Sequence, residues 1–289
     1  MAASAELGGG LLWGFAFAFG LVVGSFLNVV VYRLPRGESL AWPGSHCPRC
    51  QAPIAFYDNV PLLSWLWLRG RCRRCRAPIA WRYPALELLT GLVFLSVALR
   101  YGASLATLLW MGFAAALVAA AAIDFEHQII PDEISLGGLA VGLVAVPGLA
   151  ALEGGSLPAA LGESALGALL GGGALWAVGF AHARLSVALR RRFEHWPGDG
   201  EALPTPASLD YWVWFPGLGF GDVKLLAMIG AFVGPLGVVQ TILAAAVAGL
   251  LLGLGWVAVH RRFDVPFGFG PALAFGALLT ALFPGLGLV

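Results

Sequence analysis

The sequence predicts an all-α, polytopic membrane protein with about eight transmembrane helices and a small cytoplasmic loop of the zinc-ribbon type. The first observation is composition: 59% of the 289 residues are hydrophobic, 11% are charged, and the mean hydropathy is +0.84. A soluble surface carries about 25–35% charged residues, so this chain cannot be one soluble domain. The second observation is a series of long apolar runs. The third is a pair of Cys-x-x-Cys motifs in a strongly basic loop.

Apolar runs of membrane-spanning length recur along the chain, since a helix needs about 20 such residues to cross a bilayer. The sixth run is short, so we expect it to be tilted, partly re-entrant or extended by the glycines before it. The runs divide the chain into a first helix (1–32), a polar loop (33–83) and a helical core (84–289) with a long loop at 184–221. They lie at residues 11–32, 84–100, 105–123, 134–152, 161–183, 222–234, 236–258 and 266–287.

The arginines predict the orientation, because short loops rich in Lys and Arg stay in the cytoplasm. The loop after the first span has Glu38 and Asp58 as its acids, against Arg33, Arg36, Arg49, Arg69, Arg71, Arg73, Arg74, Arg76 and Arg82. We therefore place it in the cytoplasm and, by alternation, the loops at 124–133, 184–221 and 259–265 as well. These loops also suit an anionic lipid surface, whereas no contact with nucleic acid is expected. Nothing at the N-terminus resembles a cleavable signal peptide.

The only cysteines in the sequence are Cys47, Cys50, Cys72 and Cys75, and all four lie in that basic loop. Two Cys-x-x-Cys pairs at this separation can bring four thiolates to the corners of a tetrahedron around zinc. A disulfide is disfavoured in a reducing compartment; a redox dithiol and incidental buried cysteines are the alternatives. Because four thiolates leave no open coordination position, the zinc is predicted to be structural.

Two acids stand at the ends of apolar runs, where burying a charge is costly and calls for an explanation. Asp124 ends the third span, where the helix dipole disfavours a negative charge. Asp222 closes Gly219-Phe-Gly221-Asp222 and can be read as an N-cap, but these glycines let another chain approach the backbone beside its carboxylate. We interpret the two acids as one active site. Asp132, by contrast, is interpreted as the N-cap of the fourth span.

Two carboxylates that share one proton can hydrolyse an amide without a metal or a covalent intermediate. The ionised one deprotonates a water, and the protonated one protonates the carbonyl oxygen. The sequence has no motif typical of zinc or serine proteases. Lys224 is the only lysine, and it either forms a local ion pair or binds a carboxylate or lipid phosphate near the site.

With these features the chain resembles the type IV prepilin peptidases, bacterial inner-membrane aspartyl proteases of the Gly-x-Gly-Asp group. The resemblance covers most of the chain and rests on the order of several short motifs. They are Gly24-Ser25-Phe26-Leu27-Asn28-Val29 with Arg33-Leu34-Pro35, the two cysteine pairs, Tyr83-Pro84-Ala85-Leu86-Glu87, Asp124 with Pro131-Asp132, Gly219-Phe220-Gly221-Asp222-Val223-Lys224-Leu225, and Pro266-Phe267-Gly268.

The resemblance implies cleavage of the basic leader of type IV prepilins or pseudopilins at the cytoplasmic face of the inner membrane, with Asp124 and Asp222 as the catalytic pair. It also implies methylation of the new N-terminal amine by S-adenosylmethionine. Because no nucleotide-binding fingerprint is present, a methyl-transfer site would use the first span and the zinc loop. The candidate residues, each with helix packing as the alternative role, are Gly24, Asn28, Arg33 and Glu87.

Two other functions compete with this interpretation. A presenilin-like intramembrane protease shares Gly-x-Gly-Asp, but that class pairs it with Tyr-Asp in a span, whereas Asp124 follows Ile123. A channel or transporter would use the two acids as ion ligands and the zinc loop for docking. No inverted repeat is visible, however, and both acids are predicted at one membrane face.

Overall fold

The structure is a computed structural model that describes residues 2–189, 191, 196, 203–261 and 268–284, with side chains from residue 10 onward and without that of residue 260. Within these residues the regular structure is helical, and only isolated bridges pair extended segments. The predicted all-α class is therefore confirmed. The chain forms two compact units, residues 1–123 and 124–289. Pro266 and Phe267 of the last motif lie outside the described residues.

The first unit is built on two packed helices, α1 (Ala2–Arg33) and α3 (Arg82–Tyr101), with the short α2 (Leu63–Trp67) between them in sequence. The helix α4 (Leu105–His127) contains the boundary between the units. Small residues let α1 and α3 approach closely, as is usual in membranes. A Cβ atom added to Gly24 would lie 2.7 Å from Cα of Glu87.

The second unit contains α5 (Asp132–Leu152), α6 (Leu157–Ala188), α7 (Asp210–Val213), α8 (Phe220–His260) and α9 (Gly270–Leu282). Glycines again allow close packing, since a Cβ on Gly171 of α6 would lie 3.0 Å from the carbonyl carbon of Leu226 in α8. The Ser164 hydroxyl of α6 donates a hydrogen bond of 2.7 Å to the carbonyl oxygen of Ala231. Such bonds satisfy buried polar groups where no water is available.

A break at Gly234 divides α8 into two helical segments. Gly234 has φ 71° and ψ −178°, a conformation open almost only to glycine, and Pro235 follows it. This break lies where the sequence separates the sixth and seventh spans, at 222–234 and 236–258. In the described part of the chain, six helices are long and apolar enough to cross a membrane, and the broken α8 is the sixth of them. Counting both segments of α8 and the shorter α9 agrees with about eight membrane helices.

The segment before α8 is held against α6 by hydrogen bonds to its backbone carbonyls. Nε1 of Trp176 donates to the carbonyl oxygen of Trp212 at 2.9 Å, and Nδ1 of His182 lies 3.2 Å from that of Pro216. Phe215 is buried beside Ala183 of α6. These contacts hold in place the chain that enters the first turn of α8.

Candidate active site and metal centre

The two cysteine pairs lie in two turns with the same hydrogen bonds. The backbone N–H of Cys47 donates to the carbonyl of Ala52 at 2.9 Å, and that of Cys72 donates to the carbonyl of Ala77 at 2.8 Å. The sequences are themselves a repeat, HCPRCQAPIA at 46–55 and RCRRCRAPIA at 71–80. This repeat is visible without a structure and strengthens the inference from cysteine spacing alone.

The four sulfur atoms form a compact cluster of the size that zinc requires. All four lie within 4.8 Å of one another, and Sγ of Cys47 is 3.8 Å from Sγ of Cys75. A zinc–sulfur bond of about 2.3 Å gives a tetrahedron whose edge is about 3.8 Å. The cysteines that the sequence singles out are therefore brought together with the geometry of a Cys₄ site.

The thiols of this cluster cannot all ionise without a compensating cation. Backbone N–H groups of Cys75 and Arg74 lower the pKa of the Cys72 thiol to about 6. For Cys75, the backbone N–H of Ala77 acts in the same direction, but burial and the other three thiols prevail and raise its pKa to about 11. Bound zinc would remove this opposition, because thiolates are its ligands.

A cavity of about 1030 Å³ lies beside the cysteine turns in the first unit. It is lined by the end of α1, the loop and the start of α3, and it includes Ser25, Asn28, Arg33 and Glu87. Three of the four predicted methyl-transfer residues thus line one cavity. Gly24 does not line it and lies in the contact between α1 and α3.

The polar side chains of this cavity also hold the loop to the helices. Glu87 Oε2 accepts a hydrogen bond of 2.8 Å from the backbone N–H of Leu62, and the Glu87 carboxylate also accepts a bond from the Ser25 side chain. The Arg33 guanidinium donates to two loop carbonyls at 2.9 and 2.6 Å. Asn28 donates to the carbonyl of Tyr83 at 3.2 Å, joining α1 to α3. Each residue therefore has a structural role, whatever ligand the cavity takes.

The two acids come together in the second unit. Asp124 lies in the last turn of α4 and Asp222 in the first turn of α8, and they are only 5% and 8% exposed. The charge of Asp124 acts on the carboxyl group of Asp222. Two buried carboxylates from separate helices, with the charge of Asp124 acting on Asp222, form the arrangement that a shared proton requires.

Asp124 is held by a segment that the sequence interpretation did not connect with it. Its Oδ2 accepts a hydrogen bond of 2.8 Å from the backbone N–H of Gly270, the first residue of α9. A Cβ atom on Gly270 would lie 2.8 Å from this oxygen, and one on Gly268 would lie 2.7 Å from Oδ1. Gly268 belongs to a motif noted in the sequence. The structure explains why the residue is glycine, because a side chain there would clash with the Asp124 carboxylate.

Asp222 is the third residue of α8, and Gly219 occupies the N-cap position. The alternative N-cap role of Asp222 is therefore wrong, although its carboxylate does accept a hydrogen bond from the backbone N–H of Gly219. Its Oδ1 is buried and has no partner within the described part of the chain. Gly221 permits a close approach, since an added Cβ would lie 3.1 Å from Cβ of Ile130.

Lys224 and Asp132 form an ion pair between α8 and α5. The Lys224 ammonium also lies 5.7 Å from the ring centre of Phe220. Asp132 is the first residue of α5, and Pro131 occupies the N-cap position, so the predicted N-cap role of Asp132 is wrong. Of the roles left open for Lys224, the local ion pair is the one observed.

Two family models match the chain, and together they match residues of both units. The bacterial peptidase A24 N-terminal domain matches residues 18–101, and the type IV leader peptidase family matches residues 111–254. The chain belongs to the type IV leader peptidase family. It is therefore an enzyme of an aspartic peptidase family, and its apolar helices and its family indicate a multi-pass protein of the bacterial inner membrane.

Curated relatives align with this chain over most of their length. A prepilin leader peptidase/N-methyltransferase of Dickeya chrysanthemi is 36% identical and aligns over 93% of this chain and 91% of its own. A type 4 prepilin-like proteins leader peptide-processing enzyme of Escherichia coli O78:H11 is 35% identical over 90% of each chain. A Burkholderia pseudomallei prepilin leader peptidase/N-methyltransferase is 38% identical over 98% of this chain and 89% of its own. No solved structure matches the chain significantly.

Proposed function

We propose that this enzyme removes the basic leader of type IV prepilins or pseudopilins, with Asp124 and Asp222 as the catalytic pair. The observation that carries the proposal is the burial of two interacting carboxylates, one of which has an oxygen without a partner in the described residues. An unpaired buried polar atom is costly unless a substrate or water meets it. The proposed activity is the one in the name of the Escherichia coli relative, which is a leader peptide-processing enzyme of type 4 prepilin-like proteins.

The proposed hydrolysis needs a peptide bond beside both carboxylates. Gly219 and Gly221 precede Asp222 without side chains that would block an extended peptide. One carboxylate deprotonates a water that attacks the peptide carbonyl, and the other protonates the carbonyl oxygen. The arginine-rich loops support a site at the cytoplasmic face, where the leader of a membrane-inserted prepilin would be accessible.

The test of this proposal uses purified enzyme in lipid vesicles and a prepilin substrate. Asp124→Asn, Asp222→Asn and the double mutant are each expected to lose cleavage, and their losses should not add because one proton is shared. The exposed Asp210→Asn serves as the matched control and should cleave normally. Turnover near the wild-type rate in either single mutant, with the protein folded and inserted, would remove that residue from the mechanism.

The second proposed activity is methylation of the new N-terminus, with the methyl donor in the cavity of the first unit. S-adenosylmethionine supplies an activated methyl group on a positively charged sulfur when bound. The carboxylate of Glu87 complements that charge, and Ser25 and Asn28 offer polar contacts in the same cavity. Its volume of about 1030 Å³ is at the upper end for small-molecule sites, which span about 300–1,000 Å³. Measured binding of the donor to wild-type protein and to Glu87→Gln tests this assignment.

Zinc is proposed to hold the cysteine turns together and to take no part in either reaction. With Cys47, Cys50, Cys72 and Cys75 all as ligands, no coordination position remains for a substrate. Its contribution is to fix the loop that forms one side of the cavity.

A further inference from the structure

The two carboxylates of the proposed catalytic pair differ in what surrounds their oxygen atoms. Oδ2 of Asp124 accepts the backbone N–H of Gly270 at the start of α9, a helix of 13 residues. A backbone N–H at a helix N-terminus favours a negative charge. The Asp222 carboxylate also accepts one backbone N–H, from Gly219 at the start of α8, but its Oδ1 is buried without a partner in the described residues. An oxygen in that position favours the neutral form of its carboxyl group.

We propose that Gly270 is a positioning residue that keeps Asp124 ionised, so that Asp124 is the proton acceptor and the shared proton rests on Asp222. This inference rests on the proposed function. It assigns distinct roles to two acids that the sequence leaves equivalent. Gly268 and Gly270 are both small because a side chain at either position would displace the Asp124 carboxylate from the Gly270 amide.

The proton movements balance over one catalytic cycle. Asp124 takes a proton from water as the water oxygen bonds to the peptide carbonyl carbon, and the carbonyl oxygen takes the proton of Asp222. Next, Asp124 gives its proton to the leaving nitrogen as the carbon–nitrogen bond breaks. Asp222 recovers a proton from a hydroxyl of the intermediate as the carbonyl re-forms. The products are a carboxylic acid and an amine, and both side chains return to their starting states.

The other charged groups near the pair do not reverse this assignment. In the described residues, α9 has no titratable side chain, and α4 adds Glu126 and His127 in its last turn. On α8 the nearby charge is Lys224, and it is paired with Asp132 of α5. The helix dipoles act in the opposite direction, because Asp124 lies in the last turn of α4 and Asp222 in the first turn of α8. Each carboxylate accepts one backbone N–H, from Gly270 and from Gly219 respectively. The difference between the two acids therefore rests on Oδ1 of Asp222, which is buried without a partner in the described residues.

The first experiment compares each acid in the absence of the other. Infrared absorption of the carboxylic acid C=O stretch is followed against pH in Asp222→Asn and Asp124→Asn, with the double mutant subtracted as a baseline. Asp222→Asn reports the ionisation midpoint of Asp124, and Asp124→Asn reports that of Asp222. The midpoint of Asp124 is expected to lie about one pH unit or more below that of Asp222. Coincident or reversed midpoints would overturn the assignment.

The second experiment tests the role of Gly270. In the Asp222→Asn background, Gly270→Ala is expected to move the ionisation midpoint of Asp124 to higher pH, because the new methyl group separates the carboxylate from the amide. Gly137→Ala in α5 is the matched control, since a Cβ there meets nothing within 4 Å, and it should leave the midpoint unchanged. An unchanged midpoint in a folded Gly270→Ala protein would show that the amide does not hold the charge.

The infrared experiments and the cleavage assay together separate this inference from the proposed function. If either Asp→Asn single mutant still cleaves prepilin, the proposed function fails. If both lose cleavage but the infrared midpoints are reversed, the catalytic pair stands and only the proton assignment fails. The infrared readout needs no catalytic turnover, so it remains valid in the inactive variants.

Discussion

At the scale of the residue, buried polar side chains in the first unit both support the structure and line a cavity. Arg33 is only 7% exposed, and its guanidinium is bonded to loop carbonyls. Asn28 joins two helices in the same way. Glu87 differs from them because it brings a negative charge to the cavity. That charge makes Glu87 the residue whose ligand-binding role can be separated from its packing role.

Glu87→Gln is expected to weaken S-adenosylmethionine binding while cleavage of prepilin continues. Glutamine keeps the size and an acceptor oxygen for the Leu62 amide, but it removes the charge that complements the sulfonium. The loss of a charged partner predicts about tenfold weaker binding or more. Equilibrium dialysis with labelled donor measures this directly, with the exposed Glu153→Gln as the control. Equal affinity for Glu87→Gln and wild type would place the donor elsewhere.

At the scale of the element, the cysteine turns are two copies of one short motif. Each copy is too short to be stable as a folded unit by itself. Each turn has few internal hydrogen bonds, and Cys50 and Cys75 are exposed. A metal that links the copies supplies the stability that such small elements lack. The repeat predicts that corresponding cysteines, such as Cys50 and Cys75, contribute equally to zinc binding.

We expect about one zinc per chain in purified protein, and a lower zinc content in both Cys50→Ser and Cys75→Ser. Removing one thiolate leaves an incomplete tetrahedron, so both variants should also show easier proteolysis of loop 33–83. Arg49→Gln, which changes an exposed non-ligand residue between two cysteines, is the control and should keep its zinc. Elemental analysis measures the zinc content of each protein. Metal-free wild-type protein with oxidised cysteines would contradict both the zinc site and its location in a reducing compartment.

At the scale of the whole molecule, the distribution of charge predicts which loops face the cytoplasm. The arginine-rich loop 33–83 and the segment before α8 are predicted on the inside, and the connection from α5 to α6 on the outside. Both carboxylates would then lie at the inner face, where a basic leader that has not crossed the membrane can reach them.

Epitope tags inserted at two exposed positions test this orientation. A tag between Gly154 and Gly155 is expected to bind antibody in intact spheroplasts, whereas one between Pro206 and Ala207 should bind only after permeabilisation. Both insertions fall in connections between helices, which tolerate added residues. Retained cleavage of prepilin is the control for folding. The opposite labelling pattern would place the catalytic pair on the outer side.

The sequence by itself determines the membrane class, the approximate spans, the four cysteines and the pair of acids. These features depend on local composition and short spacing, which a reader of the chain sees directly. Even the break of α8 is marked in the sequence, by Gly234 and Pro235. Composition does not fix the helix ends: the predicted span 161–183 lies within the longer helix Leu157–Ala188.

Only the tertiary structure decided how the acids are held. Gly270 and Asp124 are separated by 146 residues, and Lys224 and Asp132 by 92. The donor from Gly270 is a backbone N–H, which nearly every residue has, so no side-chain pattern identifies it. Gly268 and Gly270 lack side chains because the Asp124 carboxylate packs against them in the folded protein. A contact made by the backbone and permitted by a missing side chain appears only when the helices are packed.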